Sequence, residues 1–318
     1  MCPMNVLCRK SSRYRSFYSC RFALREIVIL WRFISNDIKD TIVPSVIAFF
    51  NGWIYVRPPI RYLPGQLLFS LIYASLYIYT FCISNQLHSI AEDAINKPYR
   101  PLPTGFVTQK ETKIRFLIYN VLFLILAFYL HIFFISVAWI VVTAGLNQWG
   151  WSSHWLTKNH LGMTLGTFIL FTAQWVIASP EGKIAGNVYW YFALLSIWAG
   201  SSLPLQDFRD VEGDRLMGRK TLTISLGEEK GRLVMIFQYL IISPALVLIA
   251  MLTQVTMVHI LGTIQLRCLL LVEIGIHWYI AYRIWHFRNP REDDFTYHVY
   301  VFLFCALVPM LNILRASR

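Results

Sequence analysis

The sequence predicts an all-α polytopic membrane protein, with nine transmembrane helices in two four-helix halves plus one around a central cavity. Three observations carry that expectation. Of 318 residues, 56% are hydrophobic and only 14% charged, against roughly 25% charged in a soluble domain. Apolar segments near the roughly 20 residues needed to cross a bilayer recur along the chain. Two polar, acid-bearing loops follow the second and the sixth of these segments, so equivalent places lie four spans apart.

Residues 1–40 read as a cytoplasmic tail followed by an interfacial helix, Glu26 to Asp40. The first 25 residues carry several Arg and Ser and no acid, a composition shared with mitochondrial transit peptides. A basic cytoplasmic tail is the simpler expectation, and the first long apolar run starts only near residue 41, so no cleavable secretory signal is evident. Residues 41–318 form the transmembrane domain. Its spans are expected at 41–56, 66–84, 114–130, 132–148, 161–179, 187–205, 233–252, 257–281 and 296–314. The connection Arg57 to Gly65 holds Pro-Pro and Pro-Gly turn signals, Leu130-His131 is the expected turn between the third and fourth spans, and Ser179 to Gly186 fits a tight loop.

The net charge of +12 follows from topology. Of 29 Lys and Arg, 23 fall in the tail or in the loops 85–115, 149–160, 206–232 and 283–295. Arg57, Arg61, Lys183, Arg315 and Arg318 lie on the opposite side, and Arg267 lies within the eighth span. The positive-inside rule puts the N-terminus and both acid-bearing loops in the cytoplasm. A nucleic-acid partner is therefore not needed to explain the charge, and no obligate protein partner is implied. The endoplasmic reticulum is the expected membrane, with the mitochondrial inner membrane as the alternative. Six scattered cysteines form neither a disulfide framework nor a CxxC metal site.

The first polar loop, NQLHSIAEDAINKPYRPLPTG (Asn85 to Gly105), follows nineteen uncharged residues, Gln66 to Ser84. Asn85, Ser89, Glu92/Asp93, Asn96 and Arg100 recur at three- and four-residue steps, one face of a helix. Asn85 and Asp93 can offer oxygens to a metal, while Lys97 and Arg100 can meet phosphate oxygens, Arg in a bidentate fork. Pro98 and Pro101 stop the helix behind them. Positive-inside anchoring is the alternative account of the two cations, behind phosphate contact.

The second loop, QDFRDVEGDRLMGRKTL (Gln206 to Leu222), spaces Asp207, Asp210 and Asp214 three and four apart, again on one helical face. Like charges at that spacing repel by a few tenths of a kcal/mol per exposed pair, so a cation is expected among them unless the face is simply solvated. Hard oxygen ligands suit Mg²⁺, which takes one or two carboxylates plus substrate phosphates. Arg209, Arg215, Arg219 and Lys220 offer cations, with Arg209 and Lys220 the expected diphosphate contacts. Two such loops beneath one apolar cavity describe a site for a lipid diphosphate. Its head group is clamped at the cytoplasmic rim as an allylic C–O bond breaks.

These residues carry a resemblance. Over about residues 27–314 the chain resembles the UbiA superfamily of intramembrane prenyltransferases, whose members have nine transmembrane helices. The family's first motif, N-D-x-x-D-x-x-x-D followed by Lys-Pro-x-Arg-Pro, is matched by Asn85, Asp93 and Lys97-Pro98-Tyr99-Arg100-Pro101. Its second, D-x-x-D-x-x-x-D with G-x-x-T-L after it, is matched by Asp207, Asp210, Asp214, Gly218, Thr221 and Leu222. Gln86 and Ser89 stand where the first motif has its first two Asp, and Gln206 where a Lys often precedes the second. Glu92 is available to compensate.

The resemblance implies a Mg²⁺-dependent enzyme of prenyl diphosphates. Asn85, Asp93, Asp207, Asp210 and Asp214 would be metal ligands, the four Asp catalytic, and Lys97, Arg100, Arg209 and Lys220 diphosphate contacts. The altered first motif is similar to that of a fungal branch containing intramembrane terpene cyclases. Cyclisation is thus expected ahead of transfer to an acceptor, and farnesyl diphosphate ahead of its C20 homologue. A transporter would also show two halves and a basic face, but with polar groups at mid-membrane rather than at loop level.

Aromatic residues make up 16% of the chain. Trp149, Trp151 and Trp155 fit an interfacial belt. Tyr73, Tyr77, Trp139, Trp175 and Trp198 fall mid-span, where a ring face can stabilise a carbocation by about 0.5–2 kcal/mol or simply pack. Arg267 and Glu273 are six apart on nearly opposite faces and are not expected to pair, and Glu292-Asp293-Asp294 reads most simply as a solvated turn, with approach to the head-group site as the alternative.

Overall fold

A long uncharged run in hydrocarbon must satisfy its backbone within itself, which a helix does. The computed structural model describes residue 21, residues 23–179, residue 181 and residues 183–317. Among the described residues there is no strand, only an isolated bridge between His154 and Lys220. The basic tail expected at the N-terminus lies, through residue 20, outside the described residues.

Helix α1 covers residues 23–34. A π-turn, Ile38–Ile42, leads into α2 (Val43–Val56), followed by α3 (Leu63–His88) and the short α4 (Ile90–Asn96). Then come α5 (Gln109–Tyr129), α6 (Phe133–Asn147), a π-helical segment Leu156–Met163 running into α7 (Thr164–Ala178), and α8 (Gly186–Ser202). A 3₁₀ turn, Leu203–Phe208, precedes α9 (Val211–Leu216) and α10 (Leu222–Leu226). Helix α11 (Glu228–Phe237) continues through a π-turn into α12 (Ser243–Leu252), and the chain closes with α13 (Met257–Gly262), α14 (Ile264–His286), α15 (Pro290–Leu307) and α16 (Met310–Ala316).

Local chemistry sets the ends. Thr108 and Glu111 form a reciprocal capping box at the start of α5. Asn289 caps α15 with Pro290 at its first position, and Arg57 ends α2 in the left-handed region. The eighth expected span is interrupted. Thr263 adopts an extended conformation between α13 and α14, so the long helix starts at Ile264 and runs on to His286.

Six helices are long and apolar enough to cross a membrane: Ile60–His88, Gln109–Tyr129, Leu156–Ala178, Glu228–Leu252, Ile264–His286 and Pro290–Ala316. The other three expected spans coincide with α2, α6 and α8, of 14, 15 and 17 residues. Helix α1 turns Leu24, Ile27, Val28 and Trp31 outward while burying Ile29 and Phe33 against α3, an arrangement fit for a lipid surface. Its Glu26 is gripped by Arg115 at 2.6 and 2.9 Å.

Besides the small cluster between α1 and α3, the apolar interior has two large ones. One cluster joins α3, α5 and α6, and the other joins α8 with α11, α12, α14, α15 and α16, while α2 and α7 contribute to both. A cavity opens where they meet, beneath the two polar loops.

Candidate functional site

Ser89 separates the first loop from α3. Its backbone leaves the helical region (φ −123°, ψ 27°), and its hydroxyl donates to the Asn85 carbonyl at 2.8 Å, a local bond that competes with the helical ladder. The expected continuous face is split there. Asn85 stays on α3 and donates from Nδ2 to Asn147 Oδ1 of α6 at 3.2 Å. Asp93, on α4, is buried and accepts Arg100 Nη1 at 2.7 and 2.9 Å. The same nitrogen lies 3.4 Å from Asn85 Oδ1. Pro98 and Pro101 keep this stretch out of a helix, which lets Arg100 fold back over α4.

In the second loop the three acids occupy three backbone settings, where a single helical face was expected. Asp207 lies in the 3₁₀ turn, Asp210 at the N-cap of α9 and Asp214 within α9. Asp207 is fully buried and takes Lys158 Nζ at 2.9 Å from the π-helical segment before α7. Asp210 is partly exposed, 3.6 Å from Arg209 Nε. Asp214 accepts Arg219 Nη1 at 3.0 Å.

Gly218 supplies the left-handed residue (φ +64°) that ends α9, so Arg219 doubles back and its amide bonds the Asp214 carbonyl at 3.0 Å. Its guanidinium also meets Glu92 of the first loop, at 2.9 Å from Oε1 and 2.6 Å from Oε2. Helices α4 and α9 pack directly together, with Gly213 so close to Asn96 that an added Cβ would sit 1.9 Å from its Nδ2. The two motif loops are thus one structure.

Beneath them lies a cavity of about 220 Å³. Asn85, Glu92, Lys97, Arg100, Lys158, Asp210, Asp214 and Arg219 line its rim, and Tyr77, Phe81, Trp139, Phe171, Tyr300 and Phe304 its apolar walls. Tyr77 stacks on Trp139 at 3.9 Å. Their polar atoms are turned away, Trp139 Nε1 to the Tyr77 carbonyl and Tyr77 Oη to the Gly166 carbonyl. A polar vestibule adjoins the rim and shares Asp37, Asp40, Lys97, Arg100, Gln206, Asp210 and Tyr297 with the cavity.

The electrostatics are those of a partly dry, crowded rim. Burial pushes the Asp207 carboxyl above the usual carboxylate range, with Lys158 opposing it and Asp214 and Asp210 adding to it. Burial likewise raises Glu92 against the pull of Arg219. Burial, reinforced by Arg100, lowers Lys97. Lys97 is also the rim cation with no ion-pair partner among the described residues, which leaves its ammonium free for an anion.

Of the residues singled out by sequence, Asn85, Lys97, Arg100, Asp210 and Asp214 line the cavity. Asp93 and Asp207 sit behind the rim, each held by a basic residue. Arg209 lines the vestibule, donating to Asp294 Oδ1 at 2.5 Å with its guanidinium 4.4 Å above the Tyr297 ring. Lys220 is exposed and off the lining, its backbone paired with the Ser153–Trp155 segment. Gln86 is buried off the lining, and neither of its amide atoms has a hydrogen-bond partner among the described residues.

Sequence reasoning passed over Lys158, Asp37, Asp40 and Tyr297. The signal for Lys158 was a lone cation at the mouth of an apolar span. The solvated turn expected at Glu292-Asp293-Asp294 is instead a row of three ion pairs, to Arg283, Arg232 and Arg209 respectively. Tyr73, Trp175 and Trp198 pack in the core away from the cavity. Glu273 does not pair with the exposed Arg267. It lies beside His277, which accepts Trp198 Nε1 at 2.8 Å.

Among the described residues no three Asp, Glu, His or Cys side chains gather closely enough to hold a metal by themselves. Two carboxylate oxygens are nevertheless buried without a donor among the described residues, Asp214 Oδ2 at the rim and Asp207 Oδ2 behind it. An orphaned buried carboxylate oxygen calls for a cation, and Mg²⁺ needs only one or two carboxylates when phosphates complete its shell. The residues fit a magnesium–diphosphate pair better than a preformed metal cage.

Comparison with known proteins agrees with this architecture. The model of the UbiA prenyltransferase family matches residues 42–308. The chain is 34% identical to the diterpene cyclase eriG of Hericium erinaceus, over 89% of this chain and 87% of that protein. It is 30% identical to the polyprenyl transferase eriF of the same organism, over 89% and 93%. Its fold is similar to that of a UbiA homolog from Archaeoglobus fulgidus solved with DMAPP and Mg²⁺, with a TM-score of 0.60 and 10% identity over 88% of this chain and 98% of that one. With most of its length matched, the chain belongs to the UbiA prenyltransferase family.

Proposed function

We propose that this protein is a Mg²⁺-dependent intramembrane terpene cyclase, which ionises a prenyl diphosphate and closes the resulting carbocation into a cyclic hydrocarbon. The observation that carries this reading is a cationic and carboxylate rim seated directly over a cavity walled by aromatic rings. The rim suits a diphosphate, and the ring faces suit the cation left behind. Similarity to a protein named a diterpene cyclase supports the same reading.

In this reading Lys97, Arg100, Lys158 and Arg219 bind and orient the diphosphate. Asn85, Asp93, Asp207, Asp210 and Asp214 are the proposed magnesium-holding set, Asp210 and Asp214 from the rim itself. When bound, Mg²⁺ supplies charge neutralisation for the leaving diphosphate. The aromatic walls fold the chain and exclude water, which would otherwise capture the cation. Nine spans, cytoplasmic polar loops and residence in the endoplasmic reticulum complete the proposal.

A diterpene has a C20 skeleton, so similarity to eriG favours geranylgeranyl diphosphate over the C15 chain expected from sequence. A second reading, transfer of the prenyl group to an acceptor, draws on similarity to eriF and on the vestibule, which offers a polar acceptor a place beside the rim.

One assay separates them. Membranes containing the protein are incubated with farnesyl or geranylgeranyl diphosphate, Mg²⁺ and no acceptor, and hydrocarbons and released diphosphate are measured. A cyclic hydrocarbon is the expected result. Product formed only after a phenolic acceptor is added would establish the transferase, and no turnover under either condition would sink both readings and reopen transport.

The pH dependence of binding is a further expectation. Only protonated Lys97 attracts the diphosphate, and its pKa is depressed, so KM should rise as pH climbs through a value below that of an ordinary Lys. Lys97→Arg should hold KM flat across that range because a guanidinium stays charged. Steady-state kinetics from about pH 7 to about pH 10 check this. An unchanged alkaline limb in the variant would remove Lys97 from the contact set.

A further inference from the structure

Five carboxylates line the cavity: Asp37, Asp40, Glu92, Asp210 and Asp214. Three have a basic partner. Glu92 and Asp214 share Arg219, and Asp210 lies 3.6 Å from Arg209. Asp40, on the π-turn before α2, and Asp37, the residue just before that turn, lie outside both acid-rich loops and have no ion-pair partner among the described residues. Their hydrogen bonds come from neutral donors, Cys82 Sγ to Asp37 Oδ2 at 3.3 Å and Tyr297 Oη to Asp40 Oδ2. A carboxylate neutralised by a guanidinium is a weak base, whereas a hydrogen bond from a neutral hydroxyl lowers basicity less, and at Asp40 burial outweighs the Tyr297 bond.

The second observation concerns α15. Tyr297, Tyr300 and Phe304 follow at steps of three and four, so they form one stripe, and all three line the cavity. Asp40 is hydrogen-bonded to the top of the aromatic wall against which a prenyl chain would lie. Asp37, by contrast, is held by a thiol from α3. Asp40 also faces the polar vestibule, which gives a proton a route to water. Arg209 reaches Asp40 only through space, its close contacts going to Asp294, Asp210 and the Tyr297 ring. Burial raises the Asp40 carboxyl above its ordinary range, in the direction that favours accepting a proton.

We propose that Asp40 is the proton acceptor of the reaction, its carboxylate aimed by the Tyr297 hydroxyl. This rests on the prenyl diphosphate reading above. After the diphosphate leaves and the ring closes, a C–H bond beside the cationic carbon breaks. Its electron pair becomes the C=C bond of the product, and the proton goes to a carboxylate oxygen of Asp40. The carboxyl then returns the proton to water in the vestibule. If an acceptor is used, the proton it loses on alkylation goes to the same oxygen.

The test measures hydrocarbon formed per diphosphate released, using full-length protein in membranes with geranylgeranyl diphosphate and Mg²⁺. Asp40→Asn should lower that ratio by about tenfold or more, with prenyl alcohols from water capture making up the difference. An unchanged ratio would overturn the proposal by showing that another group, such as the released diphosphate, takes the proton. Parallel loss of hydrocarbon and diphosphate release in a variant that melts like the parent protein would also overturn it, by placing Asp40 in binding or ionisation. If Asp40→Asn does not fold, Tyr297→Phe carries the test. It keeps the ring and removes the hydroxyl, the ratio should move the same way, and no movement refutes the assignment. Absence of diphosphate release by the parent protein defeats the underlying reading, a result distinct from any of these.

Discussion

Asp210→Ala is expected to reduce turnover of a prenyl diphosphate by about 10²–10³-fold or more, the scale set by removing one group that stabilises charge in a transition state. The protein should stay folded. Asp210 lines both the cavity and the vestibule, is partly exposed, and has its nearest cation 3.6 Å away, so its loss leaves no tightly paired charge stranded in the interior. Diphosphate release by membranes, compared with the melting temperature of the detergent-solubilised protein, separates chemistry from stability. A folded variant retaining more than about a tenth of parental turnover would fall short of that scale and remove Asp210 from the reacting site.

The largest loss of stability is expected at Asp293→Ala. Asp293 and Arg232 are each 2% exposed and meet in a two-pronged pair, 3.0 Å from Nη1 to Oδ1 and 2.8 Å from Nη2 to Oδ2. The guanidinium also donates to the Ile284 carbonyl and lies over the Phe208 ring. Removing the acid leaves the buried guanidinium with Glu228 alone, a carboxylate 60% exposed that meets Nε at 3.0 Å, a defect approaching the roughly 3–5 kcal/mol of a broken buried pair. Asp294→Ala, one residue on, breaks a pair whose acid is 47% exposed and should cost no more than about 1 kcal/mol. Thermal unfolding of both variants in one detergent gives the comparison, and equal melting temperatures would contradict the burial argument.

These two acids show how much was legible in the sequence. Residue type, spacing and position after equivalent spans were enough to single out the two loops, because diphosphate chemistry demands acids and cations in a recognisable order. Spacing could not assign partners. The steps from Asn85 to Arg100 read as one helical face, yet the Ser89 hydroxyl breaks the helix and sends Asp93 to Arg100 and Glu92 to Arg219. Lys158, Asp40 and Tyr297 reach the site from three separate elements, and nothing local to any of them records that meeting. The aromatic wall was hidden for a related reason. In helices that are apolar all round, periodicity does not say which face meets a cavity. Tyr77 and Trp139 therefore looked like Tyr73 and Trp175, although only the first two line it.

The guanidinium of Arg219 has a consequence for access. It holds an acid from each loop, Glu92 and Asp214, in one three-charge knot. Separating the loops means exposing two carboxylates and one cation together, so neither side opens as an independent flap. On the function proposed above, an arriving anionic head group would compete with both acids for the counterion that joins the halves.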